Sequence, residues 1–267
     1  MPGNPVRHDP YDILADWLWR DFRQPSIVLH VADPRGLRRD DQALMQIARA
    51  LPHSAYPGVQ FQPVQPGQLQ SPETLPEDVQ ALCFVRQLWH FGPDAVKTWG
   101  APAHLGRCAF GDDMRPADLK PGQIEAKYHS IGLRSGESGD VYWYRTYEDG
   151  TTRTDYGLVR RYIVSSRPRP SVVVSVAGCS SLGTLAAAAF AADILVRPDA
   201  NGNPLPVPPS ISHSSFMETL IETNATLAGS KLGWRLNHVN IVDMRVDDFQ
   251  WNAEAQQWRR IEPSSSA

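Results

Sequence analysis

The sequence predicts an α/β fold: an open sheet with helices on both faces, joined by antiparallel β-hairpins in the middle of the chain and at its C-terminus. Three observations predict it. Residues 172–176 (VVVSV) are apolar or small at every position, as a central parallel strand buried between two layers must be, and they lead into residues 185–195 (LAAAAFAADIL), a helix apolar nearly all round. Residues 26–32 (SIVLHVA) break at Asp33-Pro34-Arg35-Gly36 and are followed by a helical pattern over 41–51, which makes a strand, a loop and a helix. Residues 141–147 (VYWYRTY) and 155–164 (DYGLVRRYIV) alternate in the β manner about the turn Glu148-Asp149-Gly150.

The elements follow in order. Asp9 can cap a helix, Pro10 fits its first turn, and Tyr11, Ile13, Leu14, Trp17 and Leu18 recur at helical spacing, so residues 10–22 form an amphipathic helix. After the first strand-loop-helix unit, residues 59–64 supply a further strand, and residues 81–85 (ALCFV) a buried one. A loop over 87–92 then precedes a helix start at Pro93-Asp94 toward Trp99. Residues 124–133 alternate as a strand, and the C-terminal quarter returns to β over 216–227 and 232–246, closing with a hairpin that pairs Trp251 with Trp258. The expected organisation is an N-terminal helix over 1–24, one domain over 25–263 ending in a β-ribbon, and a disordered tail over 264–267.

Composition narrows the function classes. Of 267 residues 42% are hydrophobic and 21% charged, which suits a globular core. The formal net charge is −3 and the basic residues are scattered, so nucleic acid is not an expected partner. No apolar run approaches the roughly 20 residues that span a bilayer, and the opening MPGNPVRHDP lacks a signal peptide's apolar stretch. No membrane partner and a cytoplasmic location are expected. Cys83, Cys108 and Cys179 are odd in number and widely spaced, and the histidines show no ligand-pair spacing, so neither disulfides, a metal site nor a cofactor is expected.

The candidate site is the strand, turn and helix start from Gly178 to Thr184. In open α/β sheets ligands bind beyond the carboxyl ends of the strands, where helix N-termini aim N–H groups at an anion. Gly178 and Gly183 permit close backbone approach; Cys179, Ser180, Ser181 and Thr184 add polar groups; Arg35 and Arg86 follow the neighbouring strands, and Asp155 could accept a ribose hydroxyl. The same glycines equally suit a tight turn and close helix packing, and Asp155 equally closes the turn before it. The G-x-x-x-x-G spacing lacks the Lys of a P-loop, where Thr184 stands, and the fingerprint G-x-G-x-x-G is absent. A nucleophile elbow is the rival reading, each register being one residue away from G-x-S-x-G; Ser180 or Ser181 would then act with Asp199 (or Asp193) and His213 (or His238).

Asp155-Tyr156-Gly157 in a strand, followed by VVVSVAGCSSLGTLAAAAF, resembles a group of poorly characterised prokaryotic Rossmann-like proteins with a DYG strand ahead of a GxxxxGTxAA strand-turn-helix. The resemblance covers residues 80–195 and departs after the strand at 81–86, where Arg86 to His90 replace a Gly-rich turn. It implies a Rossmann-like sheet and a nucleotide-like or small-ligand pocket in signalling or defence, and no reaction. The expectation is thus a sensor or accessory subunit binding a small anionic ligand. The alternatives are a serine hydrolase or esterase, and a non-catalytic module that docks another protein.

Overall fold

The computed structural model describes residues 10–31, 38–65, 76–86, 91, 99, 103–109, 123–124, 131–147, 151–164, 171–193, 214–227, 234–247, 249–252 and 257–260. The chain runs α1 (Pro10–Trp19), a 3-10 turn (Arg20–Arg23), β1 (Ser26–Val31), α2 (Arg38–Ala50), β2 (Val59–Val64), β3 (Ala81–Val85), β4 (Leu105–Ala109), β5 (Gln123–Ile124) and β6 (Ile131–Ser135). It continues through β7 (Val141–Trp143), β8 (Arg145–Tyr147), β9 (Thr152–Val164), β10 (Ser171–Gly178), α3 (Ser181–Asp193), β11 (Phe216–Leu227), β12 (Trp234–Asp247), β13 (Phe249–Asn252) and β14 (Gln257–Arg260).

Seven strands form the main sheet in the order β12-β11-β9-β10-β3-β1-β2, with β8 and β5 attached beside β9. The strands β2, β1, β3 and β10 are mutually parallel, whereas β9, β11 and β12 are each antiparallel to their neighbours. The fold is α/β with a mixed sheet. β10, lying between β3 and β9, is buried along its whole length, which is why its sequence shows no polar alternation. β2 is an edge and mostly exposed, a position that tolerates Pro63.

The three helices among the described residues all pack on one face. Leu14, Trp17 and Leu18 of α1, Ala43 and Ile47 of α2 and Ala186 to Ala188 of α3 share a core with Val28, Cys83, Val174, Val159 and Ile221. Trp19 Nε1 donates to the Ala191 carbonyl at 2.8 Å, fastening α1 to the last turn of α3. Among the described residues no α-helix packs on the far face. Phe91 and Trp99 cover Phe84, Val173 and Tyr162, and the sheet β4-β6-β7 covers Tyr156, Leu158 and Leu220 through Leu105 and Leu133. The helix expected after Pro93 and the tail at 264–267 lie outside the described residues.

A buried ion pair docks that second sheet. Glu218 accepts from Arg160 Nε at 2.6 Å and from the Leu105 N–H at 3.1 Å, while Arg160 donates to the Leu105 carbonyl at 2.6 Å. At the same seam His104 Nε2 lies 2.7 Å from Asp247 Oδ2.

In β12 the apolar residues recur at 236, 239, 241, 244 and 246, which no strict period of two allows. Two register shifts against β11, between Leu220 and Ile221 and between Asn224 and Ala225, leave Val242 and Asn237 as extra residues. Each bulge resets the alternation, so Leu236, Val239, Ile241, Met244 and Val246 all reach the helix-side core. The expected C-terminal hairpin is the β13 and β14 pair, whose register sets Trp251 opposite Trp258.

Candidate ligand site at the strand ends

The segment from Gly178 to Thr184 is not an open loop. β10 runs to Gly178 and α3 begins at Ser181, so only Cys179 and Ser180 lie between strand and helix. Ser180 is the N-cap: its hydroxyl accepts from the Leu182 N–H at 3.2 Å, and its carbonyl accepts from the Thr184 N–H at 3.0 Å and the Thr184 hydroxyl at 3.2 Å. Helix formation starts four residues before the apolar run at 185, because these polar residues satisfy the first turn.

Asp155 completes the cap from the neighbouring strand. Its Oδ2 accepts from the Ser180 hydroxyl and from the Gly183 N–H at 3.0 Å, and its Oδ1 accepts from the Tyr156 N–H at 2.8 Å. The carboxylate is fully buried, and that burial raises its pKa above the ordinary carboxylate value, opposed by the bonds from Ser180, Tyr156 and Gly183. The positive end of α3 therefore already faces a carboxyl group supplied by the chain itself.

The glycines serve the same junction. Gly178 pairs with Gly157 across β10 and β9, and α3 lies directly on that pair. A side chain at Gly178 would run into the Thr184 N–H, one at Gly183 into the Tyr156 carbonyl and, at 3.1 Å, Asp155 Oδ1, and one at Gly157 into the Gly183 carbonyl. Close approach here is between helix and sheet. Thr184 is buried, and the Cys179 thiol turns to the far face, 3.5 Å from the Tyr142 carbonyl. Ser180 and Ser181 are the partly exposed members of the segment.

The other strand ends have a different character. The chain leaving β1 enters α2 on the helix face, whereas the chain leaving β3 reaches Phe91, packed edge-on against Phe84 of the far face at 5.2 Å. Adjacent parallel strands whose connections depart to opposite faces form a topological switch point, where open α/β sheets place their ligand crevice. At this point Arg86 has φ = 108°, the one positive-φ residue other than glycine among the described residues, while its N–H still bonds the Val176 carbonyl at 2.7 Å. One strand over, His30 pairs in register with Val85, half-buried; desolvation lowers its pKa and nearby Asp41 opposes that shift.

The structure thus brings Arg86 to the switch point and gathers Asp155, Ser180, Gly183 and Thr184 into a helix cap. Arg35, Asp199 and His213 lie outside the described residues. His238 bonds Asn224 at 2.8 Å, and Asn224 in turn accepts from Thr154 at 2.7 Å. Because Thr154 and Asp155 are successive strand residues, that chain sits on the face opposite the Ser180–Asp155 bond. His30 was missed by sequence reasoning; its signal was a lone ionisable residue inside the apolar run SIVLHVA.

Among the described residues no group of three or more His, Cys, Asp or Glu could hold a metal ion, and no helix is long and apolar enough to cross a membrane. Comparison with protein-family models, with curated proteins and with solved structures found no match to this chain.

Proposed function

We propose that the chain is a small-molecule-binding protein, a sensor or accessory subunit of Rossmann-like type, whose ligand lies beyond the carboxyl ends of β1 and β3. An anionic, nucleotide-like group pairs with Arg86, with His30 and Ser181 at the flanks. The observation that carries this reading is the left-handed backbone at Arg86. A non-glycine residue held there costs on the order of 1–3 kcal/mol, and such strain clusters at ligand sites. Its position at the switch point supports a binding role, since glycine would make the same turn without that cost.

The test is a thermal-shift screen of nucleotides, sugar phosphates and acyl compounds on the native chain and on Arg86→Gly. A ligand at 100 times its Kd should stabilise the native chain by about 2.7 kcal/mol. Arg86→Gly keeps the backbone conformation without its strain and removes the guanidinium, so it should stay folded and lose most of the ligand shift. A hit that stabilises both proteins equally removes Arg86 from the site, and a screen without hits removes the reading.

A further inference from the structure

Three buried polar groups among the described residues have no hydrogen-bond partner: Trp17 Nε1, Arg161 Nε and the Thr219 hydroxyl. Trp17 and Arg161 meet at the join between α1 and the helix face of the sheet, and Thr219 lies on that same face beside Arg161. The Arg161 guanidinium lies over the Trp17 ring with its central carbon 4.1 Å from the centroid. Arg161 pairs with Met217 and Val159 with Thr219 across β9 and β11, so Arg161 and Thr219 are diagonal neighbours on one face, their Cβ atoms roughly 7 Å apart.

The two N–H donors cannot satisfy each other, and the Thr219 hydroxyl, which could accept from either, bonds neither. The indole N–H and Nε–H are both donors without acceptor capacity, and stacked planes send their N–H bonds outward along their edges. Native interiors rarely leave such groups unpaired.

We infer that one buried water occupies this join, accepting from Trp17 Nε1 and Arg161 Nε and bonding the Thr219 hydroxyl. Water has two lone pairs for the two obligate donors and a proton for the hydroxyl, giving the three bonds typical of an internal water. An inorganic anion fits less well. The Arg161 charge is already answered by Asp21, whose Oδ2 lies 2.6 Å from its terminal nitrogen, and a further negative charge would leave the buried cluster with net charge to desolvate.

Thr219→Val gives the site a sign test, because it removes the hydroxyl at nearly constant volume. With the water in place, the substitution strips it of a partner and the melting midpoint falls by about 2–4 °C, the shift for roughly 1 kcal/mol in a chain of this size. In a dry join it deletes an unsatisfied hydroxyl and the midpoint rises, which overturns the inference. On the native protein, a cross-relaxation peak between water and the Trp17 indole proton, assigned by its loss in Trp17→Phe, is expected whether or not the valine variant folds, and its absence also overturns it. A chloride-dependent midpoint that Thr219→Val abolishes would assign the join to an anion instead and refute the water.

Discussion

Asp155 occupies the place an exogenous phosphate would take at the N-terminus of α3, and its bonds from the Ser180 hydroxyl and the Gly183 N–H join β9 to the helix. Asp155→Ala leaves the Gly183 and Tyr156 N–H groups buried without acceptors and should destabilise the fold by about 3 kcal/mol, read from denaturant midpoints. Asp155→Asn keeps one acceptor and should cost less. Its comparison with the native protein also fixes a pH dependence. Burial raises the Asp155 pKa, so the folded state binds the proton more tightly than the unfolded chain does. Relative to Asp155→Asn, the native protein should therefore gain stability as pH falls through the raised folded value toward the ordinary 3.8. A parallel pair of stability curves across that range would refute the shift. His30 has the opposite sign. Its depressed pKa contributes stability that is full above the ordinary 6.5 and is lost as pH falls through the folded value, so His30→Gln should flatten that acid-side loss.

The strand-turn-helix unit was legible as an element and ambiguous as a site. Small residues at 178 and 183 announce that something approaches the backbone, but the sequence does not say whether a ligand or a helix does. Here the approaching group is α3 itself, resting on Gly157 and Gly178. Gly183→Ala should accordingly cost folding stability by about 2–4 kcal/mol, as an overpacked core substitution, and leave ligand affinity per folded molecule unchanged. An Ala variant that folds normally and loses binding would return the ligand to this turn. β12 shows the complementary limit, since its extent could be read from its apolar residues while its two bulges could not. A bulge is a property of the pair, fixed by which β11 residue each β12 residue meets, and a single strand's pattern carries only a broken rhythm.

At the scale of the whole molecule, the fully apolar run of β10 marked it as an interior strand of the sheet, whereas its antiparallel pairing with β9 could not be read, since β9 is buried along most of its length as well. Among the described residues the cover of the far face comes from Phe91, Trp99 and short strands, and the strands carry no amphipathic period that would announce it. The approach of His30 to the end of β3 could not be read either, because only strand order sets it opposite Val85. The Asp155 junction also bears on how the chain reaches this arrangement. Its bonds close loops of only 25 and 28 residues, whereas β10 meets β3 across a separation that runs from Val172 back to Ala81. Loop closure favours the nearer contacts, so β9, β10 and α3 should assemble early and offer the template on which β3 and β1 dock. Asp155→Ala should then slow refolding while scarcely changing the unfolding rate, and Trp19→Phe, which loosens the late-docking α1 from Ala191, should chiefly speed unfolding. Stopped-flow chevrons with the two effects exchanged would place the nucleus at the N-terminal helix instead.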